Sequence, residues 1–319
     1  MTNYFHSRTM IANNLFLDEM EQIAIDRIQR FARLAGKMDF EVCLGFSGGK
    51  DSQVVHHLCK RANITFKAFF NHCFESNVTR QFIREHYPDV IYRRVVKEGF
   101  IRNIAKNHHG FLPTAYAAYC CKDYKHNPKA VDEASITGVR RAESAKRATR
   151  TTMSVKNKTT ARKNRMLINE YFQENCQSTG TASVIQLLPI VDWTDSDVWS
   201  YIHKYNLPVN PEYKYSKRVG CIVCPKKNFS SNYRMLLKHP KLIDAFIRAK
   251  EKGFPDYRIN KDGSNLANNK CLYICRWLNH SFMPFTKKQE QYYKLVEQKY
   301  NEYHNKHRRT GQTDSQRKD

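Results

Sequence analysis

Residues 42–52, VCLGFSGGKDS, place a short apolar run directly before two glycines and a group of charged and hydroxyl side chains. Residues 42–46 have the length and the apolar character of a strand that is buried on both faces. Val54, Val55 and Leu58 then recur at helical spacing. This part of the chain therefore predicts a buried strand, a tight turn and a helix.

The turn itself, SGGKDS at residues 47–52, has the composition of an anion-binding loop. Two of its residues are glycines without a Cβ, so the backbone can turn tightly and bring its N–H groups against phosphate oxygens. The following helix directs its N-terminal amides and the positive end of its dipole to the same anion. The lysine adds a positive charge, and the serine hydroxyls can donate hydrogen bonds. We expect the site to include Ser47, Gly48, Gly49, Lys50, Asp51 and Ser52.

The rest of the chain alternates strand-like and helical patterns. Further strand-like runs lie at residues 66–70, 90–95, 134–137 and 184–188, and helical periodicity at 18–35 and 78–86. Such alternation predicts an α/β fold with a doubly wound parallel sheet, and a ligand site at the carboxyl ends of its strands. We expect an N-terminal extension at 1–17, a nucleotide-binding domain at 18–230, a smaller C-terminal helical lobe at 231–309 and a disordered tail at 310–319.

The charge balance indicates a polyanionic partner. The 319 residues contain 54 Lys and Arg against 30 Asp and Glu, a net charge of +24. A surface this cationic attracts nucleic acid or nucleotides, although a merely soluble basic protein has the same composition. Residues 140–165 carry ten basic side chains, one acidic one (Glu143) and little apolar periodicity. We interpret them as an exposed arm that contacts a polyanion; the alternative is a solvated surface loop.

No part of the sequence indicates a membrane protein or a secreted one. No run approaches the roughly 18 consecutive apolar residues that a membrane span needs. The N-terminal sequence MTNYFHSRTMIANNLF lacks a basic stretch followed by an apolar core, so we expect no secretory signal and a cytoplasmic protein. With 41% apolar and 12% aromatic residues, the chain is too rich in core-forming side chains to be disordered as a whole.

The cysteines form two close pairs. Ten cysteines in a chain without a secretory signal argue against a disulfide framework. Cys120 and Cys121 are adjacent, and Cys221 and Cys224 form a Cys-x-x-Cys. Vicinal cysteines are too cramped for an easy disulfide, which favours metal ligation. Four thiolates suit either an iron–sulfur cluster or a tetrahedral zinc ion.

Three segments, taken in order, resemble known motifs. Residues 47–52 resemble the PP-loop of the ATP pyrophosphatase superfamily. GVRRAES at 138–144 resembles a GxRxxES motif, and LPIVDWT at 188–194 resembles the segment before a C-terminal helix, both of the phosphoadenosine phosphosulfate (PAPS) reductase family. On these motifs the chain is identified as a member of that family. The resemblance implies nucleotide contacts from Gly138, Arg140, Glu143, Ser144 and Arg147.

The resemblance also implies cofactors and roles. The implied cofactor is an adenine nucleotide, either ATP or PAPS/adenylylsulfate, with Mg²⁺ as a candidate companion, and the implied catalytic residues are Lys50, Asp51 and Arg140. The guanidinium fork of Arg140 suits bidentate contact with phosphate or sulfate. Glu143 suits the orientation of an arginine or a ribose better than the role of a base. The cysteine pairs resemble the pattern that binds a [4Fe–4S] cluster in adenylylsulfate reductases, which implies Cys120, Cys121, Cys221 and Cys224 as its ligands, with zinc as the alternative.

The chain departs from the family's sulfonucleotide reductases in two places. Those enzymes carry a Glu-Cys-Gly-x-His segment whose cysteine attacks the sulfate sulfur, and this sequence contains no such segment. Cys271 and Cys275 could supply a nucleophile, but their apolar neighbours favour a place in the core. The Asp-Thr-Gly that usually follows the second strand is replaced by NHCFE at 71–75.

Three functions are compatible with these features. The first is an enzyme that adenylates an acceptor such as nucleic acid with ATP and releases pyrophosphate, after which sulfur from a donor protein displaces AMP. The second is a PAPS or adenylylsulfate reductase. The third is a nucleotide-binding regulator that docks on DNA without catalysis. The missing cysteine segment favours the first.

Overall fold

The computed structural model describes residues 2–94, 96–125, 134–155, 164–172, 184–253, 269–279 and 284–315. The chain forms two compact units. The sheet unit consists of Met1–Val95 and Tyr124–Gly220, and the helical unit consists of Val96–Asp123 and Cys221–Asp319. The division predicted at residue 230 assumed that the helical lobe is continuous in sequence. The structure adds Val96–Asp123 to that lobe, because segments far apart in the chain pack together.

The sheet unit is built on six described strands: β1 (Val42–Gly45), β2 (Lys67–Asn71), β3 (Ile91–Arg93), β4 (Ala134–Thr137), β5 (Met153–Val155) and β6 (Ile185–Leu187). Their order is β3-β2-β1-β4-β6-β5, and every pair except β5·β6 is parallel. Gly45 at the end of β1 pairs with Phe69 on one side and Thr137 on the other. The predicted α/β fold is confirmed.

Strand β5 corrects the prediction of a wholly exposed arm at 140–165. Its three residues are buried, and Met153 and Val155 belong to the core of the sheet unit. The strand runs antiparallel to β6, and the Leu188 N–H donates to the carbonyl of Thr152. The many charges around this short apolar segment hid it in the sequence. Residues 156–163 of the predicted arm lie outside the described residues.

Helices α1 (Thr2–Lys37), α2 (Lys50–Arg61) and α3 (Asn77–His86) belong to the sheet unit. The predicted apolar stripe of α1 supplies core residues, among them Ala24, Ile28 and Phe31, each with 0% exposure. The helix begins at Thr2, so it includes residues that the sequence assigned to an N-terminal extension. Burial of this stripe, rather than helix propensity alone, stabilises so long an element.

The helical unit contains α4 (Phe100–Asn107), and the sheet unit then contributes α5 (Arg165–Tyr171) and α6 (Asp195–Lys204). Thr194 and Asp197 form the predicted capping box of α6: the Thr194 hydroxyl accepts the Asp197 N–H, and the Asp197 carboxylate accepts the Thr194 N–H. This box fixes where α6 begins, and therefore where the side chains of its first turn lie.

The rest of the helical unit comprises α7 (Phe229–Lys238), α8 (Lys241–Gly253), α9 (Lys270–Asn279) and α10 (Lys287–Ser315). Asp244 on α8 accepts hydrogen bonds from Tyr300 Oη at 2.6 Å and His304 Nε2 at 2.8 Å, both on α10. Helix α10 continues through part of the predicted tail, and residues 316–319 lie outside the described residues. Within the described ranges, no helix combines the length and the apolar character needed to cross a membrane.

Candidate nucleotide-binding site

The predicted phosphate loop lies at the carboxyl end of β1 and leads directly into α2. Gly48 has φ +73, and a Cβ there would lie 2.9 Å from Cδ1 of Ile83. Gly49 is the N-cap residue of α2 and, being a glycine, makes no side-chain hydrogen bond to the first turn of the helix. Gly48 thus combines a left-handed conformation with a close approach that only glycine tolerates, and Gly49 has no side chain that could cap the first turn of α2.

The two serines of the loop hold its shape. Ser52 Oγ donates to the carbonyl of Gly49 at 2.8 Å and accepts the Ser47 N–H at 3.1 Å. Ser47 Oγ lies 3.1 Å from Ser52 Oγ and accepts the Gly49 N–H at 3.3 Å. The hydroxyls predicted to contact a ligand are thus engaged first in closing the turn. Their contact with phosphate stays a prediction.

A cluster of two cations and two carboxylates lies beside the loop. Lys50 Nζ is 2.8 Å from Asp195 Oδ1 and 3.2 Å from Asp51 Oδ2. Arg140 Nε is 2.6 Å from Asp51 Oδ1, and its Nη2 is 2.9 Å from Asp195 Oδ1. The hydrogen bond from Lys50 is the main reason that the pKa of Asp195 lies below its usual value. Four charges in contact balance one another locally, so the network orders these side chains without leaving a large excess charge.

Arg140 is almost fully buried, with 2% exposure. Its third donor, Nη1, bonds the carbonyl of Trp193 at 3.2 Å. Burial, the largest single influence, would lower the pKa of Arg140, but the carboxylates of Asp51, Asp195 and Glu143 together outweigh it and raise the pKa. The guanidinium predicted to bind phosphate therefore has protein partners on all three nitrogens. Its direct contact with a nucleotide stays a prediction.

Gly138 allows the end of β4 to approach the first turn of α2. A Cβ on Gly138 would lie 2.8 Å from the backbone carbonyl carbon and oxygen of Asp51. Only a residue without a side chain allows this contact, because backbone atoms cannot turn aside as a flexible side chain can. The close approach brings Asp51 within reach of Arg140.

The remaining motif residues form a second charged group. Glu143 accepts the Arg140 N–H at 2.9 Å, forms an ion pair with Arg147, and lies 3.3 Å from Nη2 of Arg218. The side chain of Arg218 is 69% exposed and that of Arg147 is 33% exposed. Ser144 is exposed and precedes the 3₁₀ turn Ala145–Arg147. Glu143 contacts arginines, as the sequence suggested, and both of its arginine partners are more exposed than Arg140.

Four further residues shape the site and were missed in the sequence: Asn210, Glu212, Tyr213 and Asp195. Asn210 Nδ2 donates to the carbonyl of Gly48 at 3.0 Å. Glu212 Oε1 accepts from Ser76 Oγ at 2.5 Å. Asp195 follows Thr194 of the capping box, which signalled a helix start but not a charge partner. The other three lie in an unpatterned segment, NPEY, that gives no local signal of its contacts.

The four predicted cysteine ligands all lie in the helical unit. A hydrogen bond with Cys121 is the main cause that raises the pKa of Cys120, followed by burial and by Cys121, Cys221 and Cys224 themselves. Burial raises the pKa of Cys224, with a further contribution from Cys221. Cys221 and Cys224 thus act in the same direction on the pKa of Cys120. Among the described residues, no group of three or more His, Cys, Asp or Glu side chains is arranged to hold a metal ion, so the cluster and the zinc alternative stay predictions.

The Cys-x-x-Cys turn is braced by Asn232, which is fully buried. The Cys224 N–H donates to Asn232 Oδ1 at 2.9 Å, and Asn232 Nδ2 donates to the Cys224 carbonyl at 2.8 Å. Lys227 Nζ donates to the Cys221 carbonyl at 2.6 Å. These bonds fix the backbone that carries both thiols and place Lys227 beside them, where its charge opposes, without outweighing, the effect of burial that raises the pKa of Cys224.

Comparison with known proteins agrees with the motifs. The family model of the phosphoadenosine phosphosulfate reductase domain matches residues 41–227. An adenosine 5'-phosphosulfate reductase of Bacillus cereus is 28% identical over 193 residues, which cover 58% of this chain and 73% of that protein. An uncharacterized protein of Methanocaldococcus jannaschii is 24% identical over 243 residues, 72% of this chain and 53% of the other. The structure of a phosphoadenylyl-sulfate (PAPS) reductase from Candida auris in complex with phosphate is similar with a TM-score of 0.43 at 15% identity, and covers 64% of this chain and 93% of that one.

Proposed function

Because the chain belongs to the phosphoadenosine phosphosulfate reductase family, we propose that it is an enzyme that binds an adenine nucleotide, preferably ATP, at residues 47–52. The position of this loop carries the proposal. It follows an interior strand of the sheet and runs directly into α2, so the glycine turn and the helix N-terminus converge on one anion. Lys50, the first residue of that helix, supplies a cation at the same place.

In the charged cluster beside the loop, we distinguish residues that position the loop from residues that contact the nucleotide. We assign Arg140 a positioning role: it holds Asp51, and with it the first turn of α2, through the 2.6 Å ion pair. Lys50 shares the same two carboxylates and can exchange one of them for a phosphate oxygen. Arg147 and Arg218 are the more exposed arginines around Glu143 and are our candidates for contact with the outer phosphates.

The proposed reaction is adenylation followed by sulfur transfer. An oxygen of the acceptor attacks the α-phosphorus, the bond to the bridging oxygen breaks, and pyrophosphate leaves with that electron pair while the acceptor loses a proton. A sulfur nucleophile from a donor protein then attacks the activated carbon, and AMP leaves. Mg²⁺ bound to the nucleotide would neutralise charge on its phosphates. Asp51 and Asp195 are the carboxylates beside the loop, and both already pair with cations, so the ion would enter with the nucleotide.

Burial of the remaining candidate nucleophiles favours adenylation over sulfonucleotide reduction. Cys271 and Cys275 on α9 have 2% and 0% exposure. Burial raises the pKa of Cys271 to about 12 and raises that of Cys275 as well. A thiol attacks as its thiolate, which these two do not form near neutral pH. A reductase is therefore the second candidate, and its test is sulfite release from adenylylsulfate or PAPS in the presence of a thiol reductant.

We further propose that Cys120, Cys121, Cys221 and Cys224 hold a [4Fe–4S] cluster. Four thiols from two segments are the number and kind of donors that such a cluster requires, and the turn that carries two of them is held by hydrogen bonds to the buried Asn232. When bound, the cluster would supply either redox chemistry or a fixed local charge.

Nucleic acid is the proposed acceptor, and the helical unit offers a surface for it. A groove of 490 Å³ lies between α4 and α8. Arg102 and Lys106 line one wall, Arg248 and Lys252 line the other, and the floor is made of alanines and an isoleucine. None of the described residues that line the groove is acidic, although the carboxylate of Glu98 pairs with Lys106 Nζ at 2.8 Å. On each wall the cations are four residues apart, about 6 Å along a helix, so they can follow a strand of phosphates without reading bases.

This surface predicts a change in salt dependence. Each contact between a cation and a phosphate of a single strand contributes about −0.7 to the log–log slope of affinity against salt. Arg102→Gln/Arg248→Gln should therefore reduce the slope by about 1.4. The control is Lys287→Gln/Lys294→Gln, which removes the same charge from exposed positions on α10. Equal slopes for both double variants would exclude the groove as the nucleic-acid surface.

The deciding experiment is pyrophosphate release from ATP, measured with and without nucleic acid. Release that depends on nucleic acid supports the enzyme, whereas ATP binding without release favours a non-catalytic, DNA-associated regulator. Lys50→Ala and Ser52→Ala should each weaken nucleotide binding by roughly 1–3 kcal/mol, the scale of a hydrogen bond to a charged group. Lys60→Ala, at the far end of the same helix, is the matched control. Parent-like affinity in both loop variants would reject the nucleotide site.

A further inference from the structure

The hydroxyl of Tyr213 lies at the N-terminus of α2. It accepts the backbone N–H of Lys50 at 2.8 Å. It also lies 3.4 Å from the position that a Cβ would take on Gly49. The Lys50 N–H belongs to the first turn of the helix, where amides have no partner inside the helix. Tyr213 therefore reaches the end of the loop where the proposed phosphate binds.

Tertiary contacts fix this position. Tyr213 lies in the 3₁₀ turn Pro211–Lys214, which is joined to the loop and to the start of α3 by the hydrogen bonds of Asn210 and Glu212 described above. Its ring packs edge-on against Trp199, with 5.3 Å between the ring centroids. A hydroxyl held from several sides loses little additional freedom when it binds a ligand, so it is well suited to position one.

In the part of the chain that the structure describes, this hydroxyl accepts a hydrogen bond but donates none. A phenol can accept and donate, and the Lys50 N–H takes the acceptor role. No described residue accepts the Tyr213 proton. Burial raises the pKa of Tyr213, and the carboxylates of Asp51 and Asp195 act in the same direction. The group therefore remains a neutral donor at physiological pH.

We propose that Tyr213 donates this proton to a phosphate oxygen of the bound nucleotide, and so links the Lys50 amide to the anion. Phosphate oxygens only accept at neutral pH, so a fixed donor beside a helix N-terminus is complementary to them. The inference rests on the nucleotide site proposed above. It adds a side chain that contacts phosphate from outside the loop, in a segment about 160 residues further along the chain.

The test is Tyr213→Phe, which removes the hydroxyl and keeps the ring against Trp199. Affinities for ATP, AMP and adenosine are measured by calorimetry on the full chain, with the thermal midpoint as a check on folding. We expect ATP and AMP to bind about 10- to 100-fold more weakly, as for a lost hydrogen bond to a charged group, and adenosine to bind as it does to the parent. Tyr116→Phe is the matched control, because Tyr116 is 99% exposed.

Each other outcome contradicts the inference in a distinct way. If the parent binds neither ATP nor AMP, the proposed nucleotide site fails and the inference fails with it. If the parent binds both and Tyr213→Phe binds them equally well, only the role of Tyr213 is refuted. An equal loss for adenosine and the phosphorylated ligands would show that the hydroxyl only supports the loop. Tighter ATP binding would show that it competes with phosphate for the Lys50 amide.

Discussion

Replacing Gly138 with alanine should disturb the contact between the end of β4 and the first turn of α2. The new Cβ would lie 2.8 Å from the backbone carbonyl carbon and oxygen of Asp51, and 3.1 Å from its Cβ. These atoms cannot rotate away, so the strand or the helix must shift. Asp51 moves with the helix, and its 2.6 Å ion pair with Arg140 lengthens. One methyl group therefore affects both the packing and the charge cluster.

The expected cost is that of an overpacked core, about 1–3 kcal/mol. For a unit of this size each kcal/mol lowers the thermal midpoint by about 2–4 °C, so Gly138→Ala should lower it by roughly 2–12 °C. Affinity for ATP should fall by about tenfold or more, because tenfold corresponds to about 1.4 kcal/mol and the shift displaces the first turn of α2 itself.

Thermal unfolding and calorimetric titration with ATP measure the two effects. The control is Gly36→Ala in the last turn of α1, since apart from its own helix backbone no described atom lies within 4 Å of the Cβ position at Gly36. Alanine is a better helix former than glycine by up to about 1 kcal/mol, so this control should be neutral or stabilising. If Gly138→Ala unfolds and binds ATP as the parent does, the close approach is not required and our reasoning about Asp51 is wrong.

Three further predictions test the charge cluster, the cysteines and the helical unit. Arg140→Lys should weaken ATP binding by about tenfold or more, since one ammonium cannot replace the three nitrogens that bond Asp51, Asp195 and the Trp193 carbonyl, and parent-like affinity would show that only charge matters. Anaerobically prepared Cys221→Ser should lose its iron and its visible chromophore while Cys275→Ser keeps them; zinc without iron in the parent would reject the cluster. Burial would raise the pKa of Asp244, but its tyrosine and histidine partners outweigh burial and hold the pKa below its usual value. The ionised carboxylate therefore stabilises the folded state fully above about pH 3.9, and this stabilisation is lost as the pH falls through the lower pKa of the folded state. Urea unfolding against pH should therefore be flatter in this acidic range for Asp244→Asn, and an unchanged slope would contradict the assignment.

Local pattern was sufficient for the elements that carry the loop. The apolar run of β1, the glycine turn and the helical spacing of α2 all lie within about twenty residues, so neighbouring side chains alone determine them. The capping box of α6 could likewise be predicted from the sequence, because its two residues are only three positions apart. Alternation of strands and helices then limits the topology, since crossovers between parallel strands are right-handed.

Contacts between distant segments were decided by the tertiary structure. Arg140 follows a strand end in a motif predicted to bind phosphate, but only the folded chain shows that Asp51 and Asp195 occupy its donors. Strand β5 pairs antiparallel at the sheet edge although its surroundings are polar, because three buried residues are enough to cover β6. Local sequence pattern also cannot predict that the helical unit combines Val96–Asp123 with the segment that starts at Cys221.

The site shows the same division between local and long-range information. Sequence alone predicted a phosphate-binding loop and showed two cysteine pairs, because glycine spacing and cysteine spacing are short-range properties of the chain. Tyr213 has no motif around it, and its place at the Lys50 amide follows from a turn bonded to two other segments. Side chains that meet across 80 to 160 residues are selected by packing and charge complementarity in three dimensions, and such partners leave no periodicity in the sequence.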